Sequence, residues 1–214
     1  MPQVSLTQLA DVLGRATVAG RSPGSVSEPV LACFPTDTVP ALAAVPAQAD
    51  LIYTAKRRTP EKPLILMGAS LEDLLPYVEG DADARRCWQA LTQQHWPGQL
   101  TLVLPASDRT PAALNPMGTG TLGIRVPNHP LALALLTRTG PLATTSANLS
   151  GQPPLTKIDD IARVFPTALI LPAAATGSAT DSAQVAAASG MPSTVALWTG
   201  SGQWKILRQG TIQL

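Results

Sequence analysis

Apolar residues follow two spacings that alternate along the chain. Short continuous apolar runs bounded by Pro or Gly are typical of strands buried on both faces of a sheet. Longer stretches with an apolar residue every three or four positions are typical of helices that pack on a core. Predicted strands cover residues 30–34, 64–67, 100–104, 121–126, 142–145, 169–171, 194–197 and 204–207. Predicted helices cover residues 6–20, 51–58, 81–95, 131–136 and 158–165, with a further helix beginning at Ser70.

This alternation predicts a layered α/β fold with a sheet at its centre. Pro35 stops the first predicted strand, so the turn Thr36-Asp37-Thr38 follows the strand's carboxyl end, where ligands gather in such folds. Residues 24–28 are predicted to form a polar loop, and residues 106–120 a long functional or mobile loop. Residues 173–190 show no clear pattern. Because no repeat or linker is visible, we expect a single domain over residues 1–214.

The composition excludes several classes of protein. With 45% hydrophobic residues, the 214-residue chain can bury a substantial core. A net charge of +1 gives no domain-wide basic field of the kind that marks a dedicated nucleic-acid binder, so any anion site is local. Cys33, Cys87, His95 and His129 lack metal-ligand spacing, which predicts neither a zinc site nor a disulfide framework. Since no segment has the pattern of a leader or a membrane helix, we expect a cytoplasmic protein.

One short segment concentrates positive charge. Four of the 15 basic residues, Lys56, Arg57, Arg58 and Lys62, fall within seven positions. Such a run is either a solvated face or a site for an anionic partner. Its place at the end of a predicted helix, together with two hydroxyl-rich turns elsewhere, favours a polyphosphate site. Lys56, Arg58 and Lys62 would then hold a triphosphate.

The two hydroxyl-rich turns, residues 36–38 and 146–151, each follow a predicted strand. Thr38, Ser146 and Asn148 would supply directional hydrogen bonds to a polar substrate or to phosphate, although a loop bonded only to itself is the alternative for residues 146–151. Arg125 interrupts the apolar pattern of its strand, and a buried arginine requires an anionic partner. That partner is either a substrate carboxylate or an internal acidic residue.

Three widespread motifs are absent: the phosphate loop GxxxxGK[ST], the dinucleotide-binding GxGxxG and the hydrolase GxSxG. The residues alone therefore indicate a polyanion site with polar substrate contacts, and they name no reaction.

A set of short motifs occurs in a fixed order over residues 30–210. They are Pro35-Thr36-Asp37-Thr38-Val39, Lys56-x-Arg58 with Lys62-Pro63-Leu64, Trp96-Pro97-Gly98-x-Leu100-Thr101, Arg125-Val126-Pro127-x-His129-Pro130, Ser146-Ala147-Asn148-Leu149-Ser150-Gly151, and Pro192-Ser193-Thr194 with Arg208-x-Gly210. Together they resemble the YrdC-like family of threonylcarbamoyl-adenylate synthases, in its short single-domain form. The resemblance implies a three-layer α/β (α+β) fold, in which helices flank a twisted mixed sheet with a large, positively lined cavity.

The resemblance also implies an activity. L-threonine, bicarbonate and ATP would be combined into threonylcarbamoyl-adenylate and pyrophosphate, for the threonylcarbamoyladenosine modification of tRNA. Mg²⁺ is expected with ATP, and tRNA and threonylcarbamoyl-transferase proteins are the expected partners. The residues implied to bind ATP are Lys56, Arg58, Lys62, Thr121, Ser146, Asn148 and Arg208. Those implied to bind threonine are Thr38, Arg125, Thr144 and Ser193, with Arg125 on the carboxylate. No residue is implied to bind a metal or to act as a separate catalytic group.

The sequence departs from the family pattern in three places. Pro40-Ala41 stands where the family usually has Tyr-Gly, Met67 replaces a histidine of some members, and Gln99 replaces a common proline. The first change leaves open an ATP-binding paralogue with a different amine substrate. A non-catalytic protein of the same fold that binds double-stranded RNA or tRNA is a second alternative. Hydrogenase-maturation relatives are disfavoured because their CxxC zinc motifs are absent.

Overall fold

The apolar runs and helical repeats of the sequence become a sheet with helices on both of its faces. The computed structural model describes residues 3–19, 28–173 and 188–214. Within these ranges the helices are α1 (Leu6–Ala19), α2 (Asp50–Lys56), α3 (Leu71–Leu74), α4 (Ala82–His95), α5 (Pro130–Thr139) and α6 (Ile158–Val164). The strands are β1 (Ala32–Phe34), β2 (Ala41–Ala44), β3 (Ile65–Met67), β4 (Leu100–Pro105), β5 (Thr121–Arg125), β6 (Leu142–Ser146), β7 (Leu169–Ile170), β8 (Thr194–Gly200) and β9 (Gln203–Arg208).

The nine strands of the described ranges form one twisted mixed sheet, in the order β7-β1-β2-β6-β3-β5-β4-β8-β9. The pairs β1/β7, β3/β5 and β4/β8 are parallel, and the other neighbours are antiparallel. Since β7 and β9 lie at opposite edges, the sheet does not close into a barrel. The predicted mixed sheet flanked by helices is therefore confirmed.

Alternate strand residues face two separate apolar clusters, one on each face of the sheet. In β2, Leu42 belongs to the first cluster, whereas Ala41 and Ala43 belong to the second. Four helices contribute to the first cluster through Ile52, Leu74, Trp88 and Ile161. α1 and α5 cover the other face through Leu9, Leu13, Leu131 and Leu135. This is the three-layer arrangement that the resemblance implies.

The predicted strands and helices agree with the observed ones to within a few residues at their ends. One strand, β2, was not predicted from the sequence. Its residues Ala41–Ala44 are three alanines and one leucine between two prolines, a composition with little intrinsic preference for strands. Pairing with β1 on one side and β6 on the other makes them a strand. Residues 24–27 of the predicted loop and 174–187 of the unassigned segment lie outside the described residues.

Three tryptophans fix the hairpin of β8 and β9 against α4. Trp198 packs edge-to-face on Trp88, with ring centroids 6.1 Å apart, and its ring centroid is 5.1 Å from that of Trp204. Such aromatic pairs stabilise a contact beyond their buried area. The packing holds β9 in place, and with it Arg208 at the end of the strand. In the part of the chain described, no helix is long and apolar enough to cross a membrane.

Candidate functional site

A cavity of about 140 Å³ lies where the turn after β1, the strands β3 and β6, and the end of β9 come together. Both the basic segment and the two hydroxyl-rich turns contribute to its walls. Seven of the eleven predicted site residues line it: Thr38, Arg58, Arg125, Thr144, Ser146, Ser193 and Arg208. Residues predicted for ATP and residues predicted for threonine therefore share one cavity, although they come from distant parts of the sequence.

The cavity is basic. Three arginines line it, and no carboxylate does so among the described residues. Its volume is below the roughly 300–1,000 Å³ of sites for drug-sized ligands, so it suits a small amino acid better than a whole nucleotide. The large cavity implied by the resemblance therefore stays a prediction.

Backbone carbonyl groups orient two of these arginines. Arg58 donates from Nε to the oxygen of Lys62 at 2.8 Å and from Nη2 to that of Pro63 at 3.0 Å. Arg208 donates from Nε and Nη2 to the main-chain oxygen of Ser193, at 3.0 and 2.8 Å. Burial lowers the pKa of both arginines, but a guanidinium keeps its charge at physiological pH. Each retains Nη1 donors that could reach an anion.

Arg125 is held by three partners near the carboxyl end of β5. Its Nε donates to the oxygen of Gly98 at 3.0 Å, its Nη1 to Oγ1 of Thr38 at 2.9 Å, and its Nη2 to Oδ1 of Asp37 at 2.7 Å. Arg125 and Asp37 are almost fully buried, and they form an ion pair. Of the two partners considered for Arg125, the internal acidic residue is thus present. Two of its five N–H groups are still available for a substrate carboxylate.

Asp37 carries an unusual buried charge. Its Oδ2 atom is buried and has no hydrogen-bond partner among the described residues. Burial lowers the pKa of Arg125, while the charge and hydrogen bond of Asp37 act to raise it. Burial also lowers the pKa of the nearby His129, and the charge of Asp37 opposes that shift. Asp37 is therefore the main negative charge that balances Arg125.

The Lys56 side chain points into the protein and does not line the cavity. α2 ends where Arg57 takes a left-handed conformation, with φ 50° and ψ 44°, and Arg58 then turns back toward the cavity wall. Nζ of Lys56 donates to the main-chain oxygens of Ser146 and Asn148 and to Oδ1 of Asn148. Burial, with a smaller effect from the charge of Arg58, lowers the pKa of Lys56 to about 7.

The turn at residues 146–152 is bonded largely to itself. Oγ of Ser146 donates to Oδ1 of Asn148 at 2.5 Å. Nδ2 of Asn148 donates to the main-chain oxygens of Leu149 and Gln152, at 2.8 and 2.6 Å. Asn148 is thus occupied within the turn and lies outside the cavity lining, whereas Ser146 lines the cavity. For Asn148, the structure thus agrees with the alternative in which its side chain bonds within the loop and not to a substrate.

The remaining predicted residues occupy the floor and the rim. Oγ1 of Thr144 donates to the oxygen of Ile65 at 3.0 Å, which fixes it on the cavity wall. Lys62 is exposed and lies outside the lining. Thr121 also lies outside it, two residues before Gly123, the partner of Ile65 in β3. Neither Lys62 nor Thr121 is therefore part of the cavity lining.

Sequence reasoning missed three residues that support the site. Asp37 was noted only as part of a turn, Thr101 only as part of a motif, and Gln99 only as a departure from the family pattern. Oγ1 of Thr101 lies 2.8 Å from Oγ of Ser193, which it helps to position. Nε2 of Gln99 donates to the main-chain oxygen of Asp37 at 2.9 Å. Oε1 of Gln99 accepts from Oγ1 of Thr211 at 2.6 Å. Buried neighbours of this kind carry no motif signal of their own.

The departures from the family pattern lie at the cavity. Ala41 and Met67 both line it. The main-chain oxygen of Pro40 accepts from the amide of Ala147, so this residue ties the start of β2 to the 146–152 turn. Gln99 makes side-chain bonds that a proline could not make. In the described residues, no three His, Cys, Asp or Glu side chains group as a metal site would require.

The family model Sua5_yciO_yrdC, described as telomere recombination, matches residues 27–210. The threonylcarbamoyl-AMP synthase of Bacillus subtilis (strain 168) is 43% identical over 136 residues, which are 60% of this chain and 38% of that protein. The threonylcarbamoyl-AMP synthase of Escherichia coli O6:H1 is 38% identical over 136 residues, 61% of this chain and 68% of that protein.

Solved structures show the same fold. P. abyssi Sua5 complexed with L-threonine is 28% identical, with a TM-score of 0.76, and the match covers 97% of this chain and 55% of that one. E. coli YciO, at 21% identity and a TM-score of 0.72, is similar over 98% of this chain and 93% of its own. The match thus spans little more than half of the Sua5 chain and less than half of the Bacillus relative.

Proposed function

Because the chain belongs to the Sua5/YciO/YrdC family, we propose that it is a threonylcarbamoyl-AMP synthase, a nucleotidyltransferase acting on L-threonine, bicarbonate and ATP. The observation that carries the proposal is the shared cavity, where Arg125 and Ser193 lie beside Arg58, Ser146 and Arg208. Relatives with the name threonylcarbamoyl-AMP synthase and the L-threonine complex of Sua5 support the same activity.

The reaction requires two bonds to form. The neutral amine of threonine attacks bicarbonate, giving a carbamate and releasing water. A carbamate oxygen then attacks the α-phosphorus of ATP, and the bond to the β-phosphate oxygen breaks to release pyrophosphate. The protein's part is to align these groups and to neutralise charge, so an acid–base pair is not essential. Mg²⁺ would enter with ATP, held by the triphosphate.

Arg125 would bind the threonine carboxylate through its two remaining N–H groups. Oγ1 of Thr38 accepts a hydrogen bond from Arg125 and lies 3.0 Å from Oγ1 of Thr36, which itself donates to the oxygen of Val39, so Thr38 would offer the amino acid a hydrogen-bond acceptor. Thr144 and Ser193 supply further hydroxyl groups on the same walls. A cavity of about 140 Å³ is suited to an amino acid of this size.

Arg58 and Arg208 would bind phosphate oxygens, together with the Ser146 hydroxyl. Charge-assisted hydrogen bonds of this kind are roughly twice as strong as neutral ones. Because the cavity is small, the adenosine part of ATP would lie beyond it, on the side of Lys62 and Thr121. The product would pass to threonylcarbamoyl-transferase proteins that modify tRNA.

The test is pyrophosphate release by the purified protein with ATP and bicarbonate, in the presence and absence of L-threonine. We expect release that depends on threonine. Arg58→Ala should lower kcat/KM for ATP at least tenfold, because it loses a charged hydrogen bond of about 1.5–3 kcal/mol. Arg86→Ala is the matched control, since Arg86 is exposed on α4 and pairs with Asp83. It should behave as the wild type.

Two other outcomes would redirect the proposal. ATP binding without threonine-dependent release would contradict threonine as the substrate, and a screen of other amines would follow, because Ala41 and Met67 reshape the cavity wall. Binding of double-stranded RNA or tRNA that falls steeply with salt and is indifferent to ATP would instead support the non-catalytic alternative.

A further inference from the structure

Lys56 belongs to the basic segment, yet its relative exposure is only 1%. Its Nζ contacts the main-chain oxygen of Ser146, the main-chain oxygen of Asn148 at 2.5 Å and Oδ1 of Asn148 at 3.3 Å. An ammonium group has three N–H donors and no acceptor. These three oxygens therefore use every donor of Lys56, and none remains for a phosphate.

The contact between Lys56 and the turn also includes the main chain. The amide of Ser150 donates to the main-chain oxygen of Lys56 at 3.2 Å. Oδ1 of Asn148, which accepts from Lys56, also accepts from Oγ of Ser146. Lys56 is thus part of the same hydrogen-bonded unit as Ser146, whose side chain lines the cavity.

The converging oxygens need N–H donors, of which an ammonium group supplies three and a neutral amine two. Two main-chain carbonyl oxygens and one amide oxygen meet at Nζ, where their partial negative charges would otherwise repel one another. A buried acceptor left without a partner costs about 1–3 kcal/mol. Removing the side-chain nitrogen would therefore force the turn to rearrange, and Ser146 would move with it.

We propose that Lys56 is a positioning residue that holds the 146–152 turn, so that Ser146 faces the cavity while Arg58 and Arg208 make the phosphate contacts. The inference rests on the proposed ATP site. It replaces the direct phosphate contact that the family resemblance implies for Lys56. Arg58 differs from Lys56 in the relevant respect, since it lines the cavity and retains free N–H groups.

The experiment compares Lys56→Arg with Lys56→Met by calorimetric titration with ATP. Arginine is a good phosphate ligand, so it would replace a lysine that touches phosphate. A guanidinium is larger and planar, so we expect it not to reproduce the contacts of Nζ with three converging oxygens and not to replace a lysine that holds the turn. We expect both variants to lose at least tenfold in ATP affinity. Lys157→Met, at an exposed lysine before α6, is the matched control and should bind as the wild type does.

Lys56→Arg with wild-type affinity would overturn the proposal, as would full affinity in Lys56→Met. A second comparison tests the link between the two residues by making the same substitution in two backgrounds. Ser146→Ala should weaken ATP binding in the wild-type background and have little further effect in Lys56→Met, because the Ser146 hydroxyl is already misplaced there. Additive losses would mean that the two residues act independently, contrary to the proposal.

Failure of the proposed function can be told apart from failure of this inference. A wild-type protein that binds no ATP contradicts the synthase, and hydrogen exchange then decides the role of Lys56. In Lys56→Met, amide exchange should become faster at residues 146–152 and stay unchanged in α5 and β4. Unchanged exchange at the turn would contradict the positioning role.

Discussion

At the scale of single residues, the ion pair of Asp37 and Arg125 is the most consequential contact in the cavity wall. Breaking a buried pair by removing one charge costs about 3–5 kcal/mol, because the other charge is left uncompensated. Asp37→Asn preserves the shape and the acceptor facing Nη2 of Arg125, but it removes the charge. We expect the free energy of unfolding in urea to fall by about 3 kcal/mol. Asp160→Asn is the control, because it breaks an exposed pair with Arg163 and should change stability by less than about 1 kcal/mol.

Equal losses in the two variants would show that burial adds nothing to the Asp37 pair.

The sequence predicted that Arg125 needs an anionic partner and left two candidates open. It could not choose between them because Asp37 is 88 positions away along the chain. The sequence also could not distinguish the roles of two residues in the basic segment. Lys56 and Arg58 are two residues apart and look equivalent in the sequence, yet one is buried under the 146–152 turn and the other lines the cavity.

At the scale of elements, the segment after β9 packs against the start of β8 with no room for a side chain at Gly210. A Cβ there would lie 2.5 Å from the oxygen of Pro192 and 2.5 Å from the amide nitrogen of Thr194. Both are backbone atoms, so Gly210→Ala must move the chain and pull Arg208 from Ser193. We expect a loss of about 1–3 kcal/mol in unfolding free energy and a higher KM for ATP.

Gly14→Ala is the matched control for Gly210→Ala. Gly14 lies in α1, and a Cβ there would meet nothing within 4 Å. Alanine in a helix should stabilise the protein by about 0.5–1 kcal/mol and leave KM unchanged. A Gly210→Ala protein with wild-type stability and KM would show that the carboxyl-terminal segment does not position Arg208.

Most elements could be predicted because their residues carry a clear local pattern. The apolar run before Pro35 and the helix that begins at Ser70 are examples, and both were found as expected. β2 could not be predicted, since its three alanines and one leucine become a strand only by pairing with β1 and β6. The cavity depends on that strand, because β2 brings the 36–39 turn beside β6. The residues alone therefore indicated a polyanion site, whereas the cavity itself was implied by the family resemblance.

At the scale of the whole molecule, the buried Lys56 should make stability depend on pH. Its pKa is about 7 in the folded protein and 10.5 in a solvated lysine. Between these values the unfolded chain binds a proton that the folded chain has lost, so the free energy of unfolding rises with pH. One proton corresponds to at most about 1.4 kcal/mol per pH unit. Cys33 acts in the opposite direction only above pH 9, because burial raises its pKa from 9.0 to about 12.

Between pH 7 and pH 9, the titration of Lys56 can therefore be followed without that of Cys33. We expect the urea unfolding free energy of the wild type to rise through this window relative to that of Lys56→Met, in which no charge titrates at the position. Lys157→Met should keep the wild-type slope, because Lys157 is exposed. Parallel curves for the wild type and Lys56→Met would mean that the ammonium keeps its proton in the folded state. The three oxygens around Nζ would then stabilise the charge enough to offset its burial, and the turn would hold its shape across the same range of pH.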